Sequence, residues 1–492
     1  MFLVLVSIVV FLKIFSYVWS KRKIIQISRI LKNDIKTYPI ISHGYLFIGS
    51  QEDRMTGLLR VGLEAIKQGG ITCITVLHHI VVAEAETAEV IFRGCLEKAD
   101  IMKVSQSLLG NGSIFADVAI WRPRRKMMSP VFSLKNLNQF VSIFDKNSRA
   151  MVDVMTQSAG RGPFSVWKFV AAFAMDSICE TTLDKQVDAM HNPDQPYLHA
   201  FDEYCRMMSK RICEPWLYNE TFYSNLPWNS KIKKHIKYMQ DFVDDVSSRP
   251  YHQTNNPCAK LTNLKVYSRK SFQCVDNDFT KGCSDLALRE ELLVITLAGT
   301  DTSATGIAFI ISALARHPRV QDAVCRELQE IFGSSDRPVT PEDLPKMKYL
   351  ELVIKETLRL YPPVPVIVRK TDRDTALPGG LVLPADTEIL LHVWALNRNP
   401  RHWGADAELF HPERFLAPLT PAAMAAFSYG PRNCLGYQYA KMSIKTVIST
   451  LLRTYRVLPA RAPTSPEPLR LKFDIMMKDV DNFQIRLEKR VK

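Results

Sequence analysis

The periodicity of apolar and polar positions is mostly helical. Residues 135–160, 165–185, 197–212 and 230–248 carry apolar side chains at three- and four-residue spacing, which predicts helices with one buried face. Residues 285–316, DLALREELLVITLAGTDTSATGIAFIISALAR, predict the longest helix, about 48 Å at 1.5 Å per residue. Beyond Glu291 it is apolar on nearly every side, the pattern of a helix buried in a large core. Its length would also suit a membrane span, but the polar run Gly299-Thr300-Asp301-Thr302-Ser303 at its middle argues against one. Strand-like runs occur at 71–85, ITCITVLHHIVVAEA, and at VIVRKT with TEILLHVW further on. They predict a small separate β layer beside a mainly helical body, not an alternating βαβ series. Residues 251–284 are polar and without period, which predicts a surface loop. No internal repeat is visible.

The first twenty residues change the picture. FLVLVSIVVFLKIFSYVW is about long enough to cross a bilayer as a helix. Lys13 interrupts it, and a lysine stem can snorkel to an interface. The start is apolar, and no small-residue cleavage site follows, so the run reads as an uncleaved anchor and not as a removed signal peptide. Lys21, Arg22 and Lys23 after it place the remainder on the cytosolic side. The sequons at Asn111 and Asn219 would then never meet the glycosylation machinery. The resulting division is an anchor at 1–20, a basic connector at 21–45 and one domain at 46–492. The net charge of +14 suggests an acidic partner or an anionic membrane surface. Nucleic acid is disfavoured, because the basic residues are scattered and no nucleic-acid motif occurs. The ten cysteines include no C-x-x-C pair, which speaks for free thiols in a reducing compartment and against a zinc site or disulfide scaffold.

Candidate chemistry centres on FSYGPRNCLGYQYA, residues 427–440. A lone cysteine is most often inert core. Cys434, however, stands just ahead of a helix-like run whose free N–H groups and dipole would favour an anionic sulfur. Gly430 and Gly436 allow a close turn, and Arg432 offers a cation for an anionic group beside a metal. Phe427, Gly430, Arg432, Cys434, Gly436 and Ala440 match F-x-x-G-x-R-x-C-x-G-x-x-x-A, and the segment resembles the haem-binding signature of the cytochrome P-450 family. The resemblance implies that Cys434 is the axial thiolate of a haem iron, where it favours O–O cleavage.

Three further segments extend the resemblance, each beside a plainer reading. In KETLRLYPP, Glu356 and Arg359 share a helical face, as an ordinary surface ion pair would. The resemblance makes them, with Arg414 of FHPERF, a buried structural network under the haem. In AGTDTSA, Asp301 has no basic residue three or four positions away, and Thr302 could simply bond back to its own helix. The segment resembles the family's oxygen-binding motif, which implies that Asp301 and Thr302 deliver protons during dioxygen activation. In WRPRRKMM, Trp121 and Arg125 lie four apart, either on a basic surface helix or, by resemblance, as holders of a haem propionate. Pro123 between them predicts a kink or a late helix start.

The resemblance covers about residue 37 onward. It implies a mainly α protein with a small β region, the cytochrome P-450 fold: a single haem-thiolate domain behind a membrane anchor. Insect members of the clan that contains the fatty-acid ω-hydroxylases look most similar. Many ω-hydroxylases bond haem covalently through a glutamate at the position of Ala298, so haem b is expected here without a covalent link. The implied function is a monooxygenase inserting one atom of O2 into a lipophilic substrate: fatty-acid-like, hormone, odorant or xenobiotic. No dinucleotide fingerprint occurs, so electrons would come indirectly from NADPH through cytochrome P-450 reductase at the endoplasmic reticulum, with cytochrome b5 a further candidate partner. Arg122, Arg124, Lys126, Lys441 and Lys445 are a candidate docking face for it. Apolar segments at 102–118, 205–225, 290–302, 364–369 and 474–479 are the candidate substrate walls. A reductase-independent peroxide isomerase or dehydratase, and a non-catalytic haem-binding protein, are the alternatives.

Overall fold

The computed structural model describes residues 19, 22–39, 41–75, 79–192, 195–248, 284–420, 422–461 and 469–490. All of the expected anchor except Trp19, and the expected loop at 251–284 except Ser284, lie outside the described residues. The connector is not extended throughout. Residues 22–30 are helical, and Ile24 and Ile27 bury their side chains against the β region, because the apolar positions of this stretch fall on one helical side.

The helices relevant to the site are α1 (Gln51–Lys67), α2 (Ala85–Gly94), α3 (Val118–Met128), α4 (Leu134–Met155), α5 (Trp167–Leu183), α6 (Pro196–Cys213), α7 (Asn229–Ser248), α8 (Asp285–Arg316), α9 (Pro318–Phe332), α10 (Lys348–Leu360) and α11 (Tyr437–Thr454). The four helical segments read from the sequence are α4 to α7, of which α5 is buried on nearly every side and not on one face, and the long apolar one is α8. The Ser284 side chain caps α8 by accepting from the Ala287 N–H, and Pro318 ends its register by opening α9. The helix packs on α5, α10 and α11. It is long and apolar enough to span a membrane, but 83% of its most apolar window is buried inside the protein. It is the central core helix.

The strand-like runs meet in one four-stranded sheet, ordered β1 (Ile71–Ile74), β2 (His79–Val82), β7 (Glu388–Leu391), β4 (Ile367–Lys370). The β2–β7 pair is parallel and the others are antiparallel. Between β4 and β7, β5 (Thr375–Ala376) and β6 (Val382–Leu383) form a short hairpin. Two small sheets were not legible in the sequence. β3 (Phe164–Ser165), β11 (Gln484–Lys489) and β8 (Tyr455–Pro459) make a three-stranded sheet, and β9 (Leu471–Asp474) with β10 (Met476–Asp479) makes a hairpin turning at Ile475. The β region is therefore several small sheets and not one layer.

Beneath this core lies a charged network with no exposed member at its centre. Glu356 and Arg359, one turn apart on α10, are both fully buried. Arg359 Nε donates to Glu356 Oε2 at 2.6 Å and Nη2 to Oε1 at 2.9 Å. Arg414 Nε donates to the same Oε1 at 3.0 Å, and so does the His411 amide at 2.7 Å. The remaining Arg359 donors reach the carbonyls of Asn397, Ala407 and Leu409. The surface-pair reading of Glu356 and Arg359 is thus excluded, and Arg414 joins them as expected. Through this trio the segment 397–414 is stitched to α10 before the chain enters the cysteine loop.

Glu356→Ala is expected to lower folding stability by about 3–5 kcal/mol, since it strands two buried guanidinium groups. Lys231→Ala, which removes one surface partner of Glu203, is expected to cost under about 1 kcal/mol. Denaturant unfolding of the two variants checks the contrast.

Candidate active site

The cysteine loop is built from its backbone. The Cys434 N–H donates to the Phe427 carbonyl at 2.9 Å and the Asn433 N–H to the Gly430 carbonyl at 3.1 Å, so residues 427–434 close on themselves. Gly430 has φ +74°, and a Cβ there would lie 2.5 Å from the Phe92 carbonyl oxygen of α2. Only glycine meets both demands. Gly436 is the N-cap residue of α11, and its N–H lies against the Cys434 sulfur. The Phe427 ring meets the Tyr437 ring edge-on at 4.7 Å, locking the loop to the helix start.

Cys434 keeps an exposed surface, yet the protein packed around it pushes its thiol up. The Gly436 N–H and the Arg125 charge pull the other way. Arg125 does so from α3, where it donates to Asn433 through its carbonyl at 2.8 Å and its side-chain oxygen at 2.7 Å. α3 begins three residues before Trp121 and carries Pro123 inside it, at the cost of the hydrogen bond the proline cannot donate. The expected late start is therefore not observed, and Trp121 and Arg125 do share a face. Trp121 is buried, with the Arg432 guanidinium 4.6 Å from its ring centroid.

Arg432 is a buried cation with unmet demand. One of its nitrogens donates to the Ala116 carbonyl, but Nε and Nη1 have no partner. Burial pulls its pKa down to about 10. Arg369 of β4 is buried as well, with Nε unpartnered, and burial and then Arg432 pull it down to about 9. Lys98 faces the same pair and is also pushed well down, by burial first and then by the two arginines. Glu97 and Asp117 act on Arg432 only through space, so the bare donors of Arg432 and Arg369, with Lys98 close by, leave room for an anion.

Across the core, Asp301 and Thr302 sit on α8. Thr302 is half-buried, and its hydroxyl donates to the Ala298 carbonyl at 2.6 Å. Asp301 is buried and paired: Lys478 Nζ of β10 lies 3.0 Å from its Oδ1. No hydrogen bond joins Asp301 to Thr302. Burial pushes the Asp301 carboxyl up and Lys478 pulls it back. Burial also opposes the Lys478 charge, but the neighbouring carboxylates more than offset it and hold the ammonium up.

The whole chain can now be compared with known proteins. A family model described as Cytochrome P450 matches residues 64–484. The chain belongs to the cytochrome P450 family. Among its relatives, human Cytochrome P450 4V2 is 32% identical over 421 residues, covering 82% of this chain and 79% of that protein. Probable cytochrome P450 4d21 of Drosophila melanogaster is 34% identical over 394 residues, covering 75% and 76%. Cytochrome P450 4c21 of Blattella germanica is 30% identical over 453 residues, covering 89% of each. The chain therefore falls among the family-4 cytochromes P450, and it is a haem-thiolate monooxygenase by class.

The site fits the cofactor this family uses. Haem presents two propionates, which the empty donors of Arg432 and Arg369 and the crowded Lys98 would receive, and an iron that an opened thiolate can ligate. The role expected of Arg125 needs restating: its guanidinium grips the cysteine loop at Asn433. Arg369 and Lys98 escaped the sequence reading because a strand arginine and a loop lysine look like surface residues until burial is known. Lys478 escaped because partners for Asp301 were sought only on its own helix. An acid in a fully apolar helix is itself the signal that some distant cation must come to it. The suggested docking face also changes. Arg124 pairs with Glu290 and Glu291, and Lys441 and Lys445 both pair with Glu351, so these three charges are held inside the chain. Arg122 and Lys126 remain exposed. All seven cysteines among the described residues are free.

Gly430→Ala is expected to abolish haem retention, since its Cβ meets a backbone carbonyl and its φ is left-handed. Gly94→Ala, whose Cβ meets nothing within 4 Å, is expected to retain haem. Haem content per purified chain distinguishes them.

Proposed function

We propose that this cytochrome P450 inserts one atom of O2 into a lipophilic small molecule, a fatty-acid-like, hormone, odorant or xenobiotic compound, with electrons from NADPH passed on by a diflavin reductase and with cytochrome b5 as a further donor. The observation that carries this reading is the pairing of an opened Cys434 sulfur with the unfilled donors of Arg432 and Arg369. In this reading the Cys434 thiolate would ligate the haem iron. Gly436 and the start of α11 stabilise its charge, while Phe427 and Gly430 hold the loop rigid. Arg432, Arg369 and Lys98 receive the propionates, with Trp121 stacked under Arg432 and Arg125 bracing Asn433. Non-covalent haem b, when bound, supplies the iron centre at which dioxygen is activated.

The remaining chemistry falls to the chain. Asp301 Oδ2 is buried without a partner and can take and release a proton. The Thr302 hydroxyl, on the following residue, can pass one on once it turns from the Ala298 carbonyl. The apolar surroundings of α8 limit competing water. Glu356, Arg359 and Arg414 serve as the structural network. We further place the chain on the endoplasmic reticulum membrane, with residues 1–20 as a single span, 21–45 as connector and 46–492 facing the cytosol. The apolar run and the following Lys21-Arg22-Lys23 support this.

The test is turnover of mixed lipids and plant-derived compounds under labelled dioxygen, with NADPH and reductase, read by mass spectrometry. One labelled oxygen atom per product, strictly dependent on reductase, is expected. Rearranged peroxide products formed without reductase would replace this reading with an isomerase.

A further inference from the structure

Asp301 does not stand alone with Lys478. The same ammonium lies 3.2 Å from Asp202 Oδ1 of α6, so one lysine is shared between two carboxylates. Their settings differ sharply: the Asp301 side chain is 2% exposed and that of Asp202 is 49% exposed. Lys478 itself is 7% exposed and stands 4.3 Å from the centroid of the Trp167 ring. Asp474 of β9, bonded by Gln51, and the Cys205 thiol of α6 face the same cluster. Three carboxylates thus surround one buried ammonium, which cannot satisfy all of them. Asp301 is left with its Oδ2 unbonded.

We propose that Lys478 is a positioning residue for the oxygenation reaction, dividing its hydrogen bonds between buried Asp301 and solvent-side Asp202 and so setting how readily Asp301 holds a proton. This rests on the reading of Asp301 as a proton carrier. The ammonium's attraction favours the Asp301 carboxylate, while burial favours its protonated form. The Asp202 carboxylate repels the Asp301 charge and draws the shared ammonium towards the solvent side. Removing Lys478 and removing the Asp202 charge should therefore act on Asp301 in opposite directions. The lysine is well placed for this because its hairpin is anchored: the Met477 N–H donates to the Pro363 carbonyl at 2.8 Å, and the hairpin turns through Ile475 at φ +63°, a conformation rare for a β-branched residue.

The experiment compares the pH profile of reductase-supported turnover in Lys478→Met, Lys478→Arg, Asp202→Asn and Asp301→Asn holoenzymes. In Lys478→Met the acid limb is expected to move up by about one pH unit or more, a tenfold change in the ionisation equilibrium. In Asp202→Asn, an exposed and structurally mild change, it should move down. Lys478→Arg should restore the wild-type position. A second readout does not involve turnover. In thermal unfolding, Lys478→Met should be destabilising because it leaves a buried carboxylate unpaired, and adding Asp301→Asn should recover part of the loss. Shifts of the same sign in Lys478→Met and Asp202→Asn, or no coupling in the unfolding cycle, would overturn the proposal. If Asp301→Asn itself leaves the acid limb in place, the proton-carrier reading fails first, and the unfolding cycle still reports whether the pair exists.

Discussion

One anionic sulfur has to be held in a protein interior, and most of the site follows from that requirement. A thiolate at Cys434 needs donors and positive potential close by, yet its coordinating side must stay open. The loop 427–436 meets both needs through its backbone. Gly430 lets the chain pass against the Phe92 carbonyl, the Phe427 carbonyl receives the Cys434 amide, and Gly436 aims its N–H at the sulfur. Three helices converge to keep this loop in place: α2 through Phe92, α3 through the Arg125–Asn433 clasp, and α11, whose first turn follows the loop directly.

Around that loop the chain distributes buried charge in two contrasting ways. Where charge is structural it is saturated. Glu356 accepts from two arginines and an amide, and Glu351 is pulled down to about 2 against its own burial by Lys441 and Lys445. Elsewhere it is left wanting, as with the bare donors of Arg432 and Arg369 and the free Oδ2 of Asp301. Bare cationic donors close to an exposed cysteine mark a place for an anionic ligand.

Much of this was legible in the residues. Helical period placed α4 to α8, and the sharp composition of 285–316 told core from membrane through its polar centre. The loop motif identified Cys434 because glycines, arginine and a helix start around one cysteine have few other reasons to coincide. What stayed hidden depends on distance in space. The pairing of 71–85 with 366–391 follows from parallel contact of β2 and β7, which no local pattern encodes. The strands after 454 are short, and one of them, β11, finds a partner about three hundred positions away at Phe164–Ser165. Asp301 and Lys478 are separated by about a third of the chain, so only the energetic oddity of a lone buried acid pointed to a partner. Pro123 predicted a late start or a kink, but α3 begins at Val118 and keeps the proline inside it despite the lost hydrogen bond, so the late start is not found.

The most direct measurement is the absorption spectrum of the reduced, carbon monoxide-bound protein, taken for the wild type and for Cys434→Ser. Wild type is expected to show the strongly red-shifted Soret band of thiolate-ligated haem, and the serine variant to lose it. Retention of that band by the serine variant would contradict ligation at Cys434 and the architecture argued around it.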